Sequence, residues 1–284
     1  SSGYVIGSFI ARSRCNRSAK VIQACKDGKP YAVKCVQEGD GEYLCEVLQK
    51  EYYVLKNLTH PSIVEVADLV IASSCSAMVM ELVPGHILCQ SMCRLSLHEG
   101  HEILSKVMDA LVYLHMHHQI AHGDLKAENI MVNTQTEGLQ VDGHILVKLI
   151  DFGSARHQEN CTCVVETQCS QECSPKTASF FCDNVDGRIL PPGRTGGSGD
   201  IFELDVFAVG LLFAGLLANR ETFTSDVFRG LDFKLQLPEI SSITEEYVIA
   251  VLNSNPALRP KIDVAWQSLP AAECWLSQQN SMLR

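Results

Sequence analysis

The feature that most constrains this chain is a change of hydrophobic period at Pro84-Gly85. Before it, apolar residues come in short runs bounded by turn residues. Residues 4–11, 20–25 and 31–36 read as strands, with Asp27-Gly28 as the tight turn between the second and third. Residues 63–71 and 77–83 supply two more. One segment breaks the pattern: Leu44, Val47, Leu48, Val54, Leu55 and Leu58 share a helical face, and His60-Pro61 ends that helix. Beyond Gly85 the helical period takes over, at 99–115, 204–218, 245–253 and 262–268. The second of these is apolar nearly all round, as a helix enclosed on every side must be. A small antiparallel sheet with one main helix, followed by a mostly helical part, belongs to the α+β class with two lobes and a hinge. The expected limits are 4–83 and 84–270, with 271–284 as a tail.

Composition excludes some functions. The 284 residues are 46% hydrophobic and 20% charged, ordinary for a chain with a sizeable core. A net charge of −10 and a pI near 5.4 argue against nucleic acid or an anionic membrane as a bulk electrostatic partner. The longest apolar run, 206–218, is too short for a bilayer span. Thirteen cysteines, an odd number with no secretory leader ahead of them, read as reduced thiols of a cytoplasmic or nuclear protein.

Chemistry concentrates in His122-Gly123-Asp124-Leu125-Lys126-Ala127-Glu128-Asn129, followed by Asp151-Phe152-Gly153 beyond a predicted strand pair at 130–133 and 145–150. One short turn holds a carboxylate to orient a hydroxyl, a lysine for charge and an amide oxygen for a metal. A second carboxylate lies downstream. Phosphoryl transfer needs these parts. Lys34, on the third strand in Ala32-Val33-Lys34, adds a cation that a helix carboxylate must fix. Glu51 has better spacing for that than Glu46.

These segments resemble the catalytic loop, metal-binding turn and strand lysine of eukaryotic protein kinases. The resemblance runs from Tyr4 to Leu269. It includes Leu114-His115, Arg188-Ile189-Leu190-Pro191-Pro192, Asp205 to Gly210, and Asn255 to Pro260. It implies an ATP-dependent kinase acting on Ser or Thr hydroxyls of a protein substrate, since Lys126 belongs to the Ser/Thr branch. Asp124 would be the catalytic base, Lys126 would contact the transferred phosphate, and Glu51 would hold Lys34 against the nucleotide. Asn129 and Asp151 would bind Mg²⁺. Ala11, Ser13, Val21, Ala32, Met80, Glu81, Val83 and Met131 would surround the nucleotide, with Met80 as gatekeeper and Glu81 and Val83 meeting adenine through their backbones. Asp205 would brace the catalytic loop.

Three departures stand out. The phosphate loop, placed at 11–21 by the spacing of Val21 from Lys34, has Ala11, Ser13 and Ala19 where glycines are expected, and Arg12, Arg14 and Arg17 as alternative cations. Gly123 replaces an arginine that normally reads a phosphate on the activation segment, so activity should not require that phosphate. Gly193 replaces a glutamate that pairs with Arg259; Glu203 or Asp200 are the available substitutes. These departures motivate an alternative reading, a pseudokinase scaffold with weak or no transfer. A small-molecule kinase fits the long segment before Pro191-Pro192 less well. Glu128 hints at a basic substrate. Cys161, Cys163, Cys169, Cys173 and Cys182 match no common zinc spacing, and the histidines at 115, 117, 118 and 122 read as packing residues.

Overall fold

The computed structural model describes residues 3–12, 19–37, 42–72, 75–134, 145–158, 201–218 and 238–277. The chain divides into two units, one of Ser1–Pro84 with Ile150–Gly153 and one of Gly85–Leu149 with Ser154–Arg284.

The first unit is an antiparallel sheet with one helix. Strands β1 (Val5–Arg12), β2 (Lys20–Lys26), β3 (Lys29–Gln37), β4 (Val66–Ala72) and β5 (Cys75–Glu81) pair in the order β1-β2-β3-β5-β4. The β2–β3 turn is set by its residues: Asp27 and Gly28 have φ of 52° and 78°, the left-handed pair that a two-residue hairpin demands. Helix α1 (Glu42–Leu55) packs on β3, β4 and β5. Register then decides which side chains share its face. Ala11 lies opposite Val21, Val21 opposite Lys34, and Lys34 opposite Met78, while Ala32 lies opposite Met80. With a side-chain period of two, all six point to one side of the sheet.

The second unit is built around α3 (Phe202–Ala218), whose residues from Leu204 to Leu217 are all buried. Helices α2 (Leu97–Val112), α4 (Ser242–Val251) and α5 (Ile262–Gln267) pack on it, which is why it can be apolar all round. Gly210 permits the close crossing of α4's end: a Cβ there would lie 2.5 Å from Cδ2 of Leu252. Ser96 and Glu99 form a reciprocal capping box at the start of α2. The helix ends in a π-helical turn, Tyr113–His117, and Gln119 then turns the chain with φ of 54° while its Nε2 donates to the His115 carbonyl. Short strands follow: β6 (His86–Ile87), β8 (Ile130–Asn133) and β9 (Leu146–Leu149) form one sheet, and β7 (Ile120–Ala121) pairs with β10 (Arg156–His157). Glu102 and Lys106 of α2 clip the backbone of Ile145 just before β9, the carboxylate accepting its N–H and the ammonium donating to its carbonyl.

Residues 271–277, the start of the expected tail, pack on the second unit. Trp275 is fully enclosed, its ring meets Phe213 edge-on at 4.8 Å, and its Nε1 donates to the Pro270 carbonyl. Ser277 N–H donates to Glu239 O, and Leu276 bridges Ile240. The anchor leaves no trace of periodicity, because a single buried tryptophan makes no period. The strand expected at 63–71 begins only at Val66, since Ile63 and Val64 are buried after the turn at Pro61. Among the described residues, no helix is long and apolar enough to cross a membrane.

Candidate active site

In the first unit, Lys34 meets two carboxylates. Its Nζ lies 2.7 Å from Glu51 Oε2, 3.0 Å from Oε1, and 2.9 Å from Asp151 Oδ1. Glu51 Oε1 also accepts the Phe152 N–H at 3.2 Å. Lys34 and Glu51 are both buried, whereas Glu46 is exposed, so the packing of α1 selects Glu51. Asp151 reaches this position through a left-handed backbone, φ of 63°, which a short polar side chain tolerates better than a branched one. Burial alone would lower Lys34, but Asp151 and Glu51 outweigh it and hold the ammonium above the ordinary lysine range. Burial pushes Glu51 upward, opposed by Lys34 and reinforced by Asp151. One ammonium thus serves two carboxylates, and a further cation would relieve the excess negative charge. The Lys34–Asp151 contact escaped sequence reasoning, which gave Asp151 to the metal alone.

At the other end of the sheet face, Glu81 donates its N–H to Glu65 O at 2.9 Å, and its side chain accepts the Glu65 N–H. Any adenine contact at Glu81 must therefore use its carbonyl. Ala11, Val21, Ala32 and Met80 share the Lys34 face, as the register requires. Ser13, Arg14 and Arg17 lie outside the described residues.

In the second unit, the catalytic-loop residues form a closed polar cluster. Lys126 Nζ binds both Asp124 oxygens, at 2.9 and 2.7 Å. Asn129 Nδ2 donates to Asp124 Oδ2 at 2.9 Å and to the Asp124 carbonyl at 2.8 Å. Both amide hydrogens of Asn129 are thereby committed, which fixes the amide and presents Oδ1 as an acceptor. A hard divalent cation takes oxygen ligands of this kind, so the donor set fits Mg²⁺. His122 is fully buried and its Nδ1 accepts the Asp124 N–H at 3.3 Å. Met131, on β8, is half-buried, and Val83 lies in the first unit beyond β5. Glu128 is 9% exposed.

Asp205 supports this loop from α3. Its Oδ2 accepts the His122 N–H at 2.7 Å, and its Oδ1 accepts the Gly123 N–H at 2.9 Å. His115 Nε2 adds a third contact, 2.8 Å from Oδ2. Burial would raise the Asp205 carboxyl, but the hydrogen bond and charge of His115, the charge of His122 and the Gly123 N–H hold it below the usual carboxylate range. The His115 contact spans a gap of ninety residues in sequence, and no local pattern signals it. Arg259 donates to the carbonyls of Asn253 and Glu203 and stacks over Phe207 at 4.9 Å. Glu203 thus serves it through its backbone; Gly193, Asp200, residues 188–192 and the cysteines from 161 to 182 lie outside the described residues. Among the described residues, no group of His, Cys, Asp or Glu is arranged to hold a metal by itself.

The arrangement also has relatives. The family model for the protein kinase domain matches residues 17–268. A probable serine/threonine-protein kinase PknB of Lactococcus lactis is 28% identical over 72% of this chain and 30% of its own length. The probable serine/threonine-protein kinase fhkD of Dictyostelium discoideum is 27% identical over 89% of the chain and 34% of its own length. Sperm motility kinase 3A of Mus musculus is 31% identical over 91% and 48%. The chain therefore spans about a third to a half of the length of these relatives. A match over most of the chain, on a sheet that buries Lys34 against Glu51 and a loop that binds Asp124 to Lys126 and Asn129, makes this chain a member of the protein kinase domain family.

Proposed function

We propose that this domain transfers the γ-phosphoryl group of ATP to a serine or threonine hydroxyl of a protein. The observation that carries this reading is the completeness of the two charged clusters, Lys34–Glu51–Asp151 and Asp124–Lys126–Asn129. A scaffold freed from catalysis has no need to bury Lys34, Glu51 and Asp124, each paired within its own cluster, because buried charges are costly unless paired.

In this reading Lys34, fixed by Glu51, neutralises phosphate oxygens, and the face bearing Ala11, Val21, Ala32 and Met80 lies against the nucleotide. Ser13, Glu81, Val83 and Met131 complete the nucleotide contacts. Asp124 accepts the proton of the acceptor hydroxyl as the hydroxyl oxygen bonds to the γ-phosphorus and the bond to the β,γ-bridging oxygen breaks, releasing ADP. Lys126, held at Asp124 in the resting protein, shifts its charge to the transferring group. Asn129 and Asp151 are the residues that would hold Mg²⁺, which would supply charge neutralisation for the phosphates. Phosphoryl transfer asks the protein mainly for position and charge, so the glycine-poor loop is the less critical departure.

The test is transfer of γ-phosphate from Mg²⁺·ATP to a generic protein acceptor and to the domain itself. A sample stripped of phosphate by a phosphatase should retain its rate, because Gly123 provides no arginine to read a phosphate. ATP binding without any transfer would favour the scaffold. Loss of all activity on dephosphorylation would contradict the assigned consequence of Gly123.

A further inference from the structure

Gly123 lacks more than an arginine: its backbone occupies a position that a side chain cannot share. It sits at φ of 78°, and a Cβ built on it would lie 2.5 Å from the Ser154 carbonyl oxygen and 3.3 Å from its carbon. Real Cβ atoms do not approach backbone oxygen so closely, and the obstacle is main chain that no rotamer can move aside. From the other direction Asp205 Oδ1 grips the Gly123 N–H, and its other oxygen grips the preceding N–H of His122. Gly123 is thus held between α3 and Ser154, immediately ahead of Asp124.

The segment beginning at Ser154 is itself tied to the chain ahead of the loop. Arg156 pairs with Ala121 and His157 with Ile120, and the Gln158 N–H donates to Gln119 O at 2.9 Å. Two runs of backbone, 119–124 and 154–158, therefore lie side by side, and at Gly123 they leave no room for a Cβ. A residue with a Cβ would push them apart by about an ångström to reach ordinary contact.

We propose that Gly123 is a positioning residue: its bare backbone lets Ser154 close on the catalytic loop, and this main-chain clamp holds Asp124 in place without an arginine–phosphate contact. The clamp deepens the phosphotransfer reading and rests on it. Displacement of a reacting group by about an ångström can cost on the order of 10²-fold in rate.

The test compares the full chain with Gly123→Ala and Gly123→Asn. Asparagine tolerates a left-handed backbone better than alanine but carries the same Cβ. The clamp predicts that both variants lose kcat to a similar extent, on the order of 10²-fold, with KM for ATP changed by less than about threefold. It also predicts faster amide exchange at 154–158 without a general rise across α2 and α3. Recovery of kcat in Gly123→Asn alone would trace the effect to φ and overturn the clamp, as would parental kcat in both variants. Exchange rising throughout the second unit would reduce Gly123 to a folding role. If the parent transfers no phosphate, the phosphotransfer reading fails by itself, and exchange at 154–158 still decides whether Gly123 closes that segment.

Discussion

Asp124→Asn is expected to lower kcat by about 10²–10⁴-fold, the range that a positioned acid–base group contributes, while ATP affinity stays near the parental value. The substitution preserves size and removes what the cluster is built around. In the parent, the Asp124 oxygens accept from Lys126 twice and from Asn129 once. An asparagine offers one oxygen and turns an NH₂ toward the Lys126 ammonium in either orientation, and toward the Asn129 amide as well in one of them, so donors face donors. Part of the loss is thus positional: in that orientation Asn129 keeps only its bond to the backbone carbonyl of residue 124, and its Oδ1 is less firmly aimed. Lys34 and Glu51 are untouched, so nucleotide binding and transfer should separate. Single-turnover transfer alongside ATP titration measures both quantities, and parental transfer in the variant would remove Asp124 from its assigned role.

Asp205→Ala is expected to destabilise the second unit by about 3–5 kcal/mol, the usual result of breaking a buried polar pair from one side. Three donors converge on this carboxylate, from His115, His122 and Gly123, and all three are enclosed. Removing the acceptor strands each of them away from water, and a cavity remains at the base of the catalytic loop. Asp205→Asn keeps one acceptor oxygen and should fall between parent and alanine variant in urea titrations.

The same group predicts an acid limb. Its folded-state pKa is depressed, so its contribution is fully present above the unfolded aspartate value of about 3.9 and disappears as pH falls through the lower folded value. Parental stability should therefore drop below about pH 4 more steeply than that of Asp205→Asn. Parallel curves for the two would show that other carboxylates dominate the acid transition.

Much of this was legible before any coordinates. The change of period at Pro84-Gly85 anticipated a sheet unit and a helical unit, because burial of one face imposes a period of two on strands and 3.6 on helices. The choice of Glu51 over Glu46 followed from spacing to the end of one helix, and α1 buries the residue that spacing selected. Likewise, Val21, singled out by its spacing from Lys34, lies directly opposite it in the sheet. The misses share a different character. Trp275 anchors the chain end as a single large side chain, His115 reaches Asp205 across many elements, and Lys34 binds Asp151 as well as Glu51. None of these leaves a periodic trace, since each depends on where distant segments meet.

The sequence by itself determined the element types, the two-part organisation and the family resemblance, because those follow from local spacing and residue chemistry. Only tertiary structure decided that Lys34 is shared between two carboxylates, that Asp205 gathers three donors, and that Gly123 is pressed against the Ser154 carbonyl. The physical reason is range. Periodicity records which face of an element is buried, whereas a charge cluster or a backbone contact is set by ångström-scale packing between segments far apart in the chain.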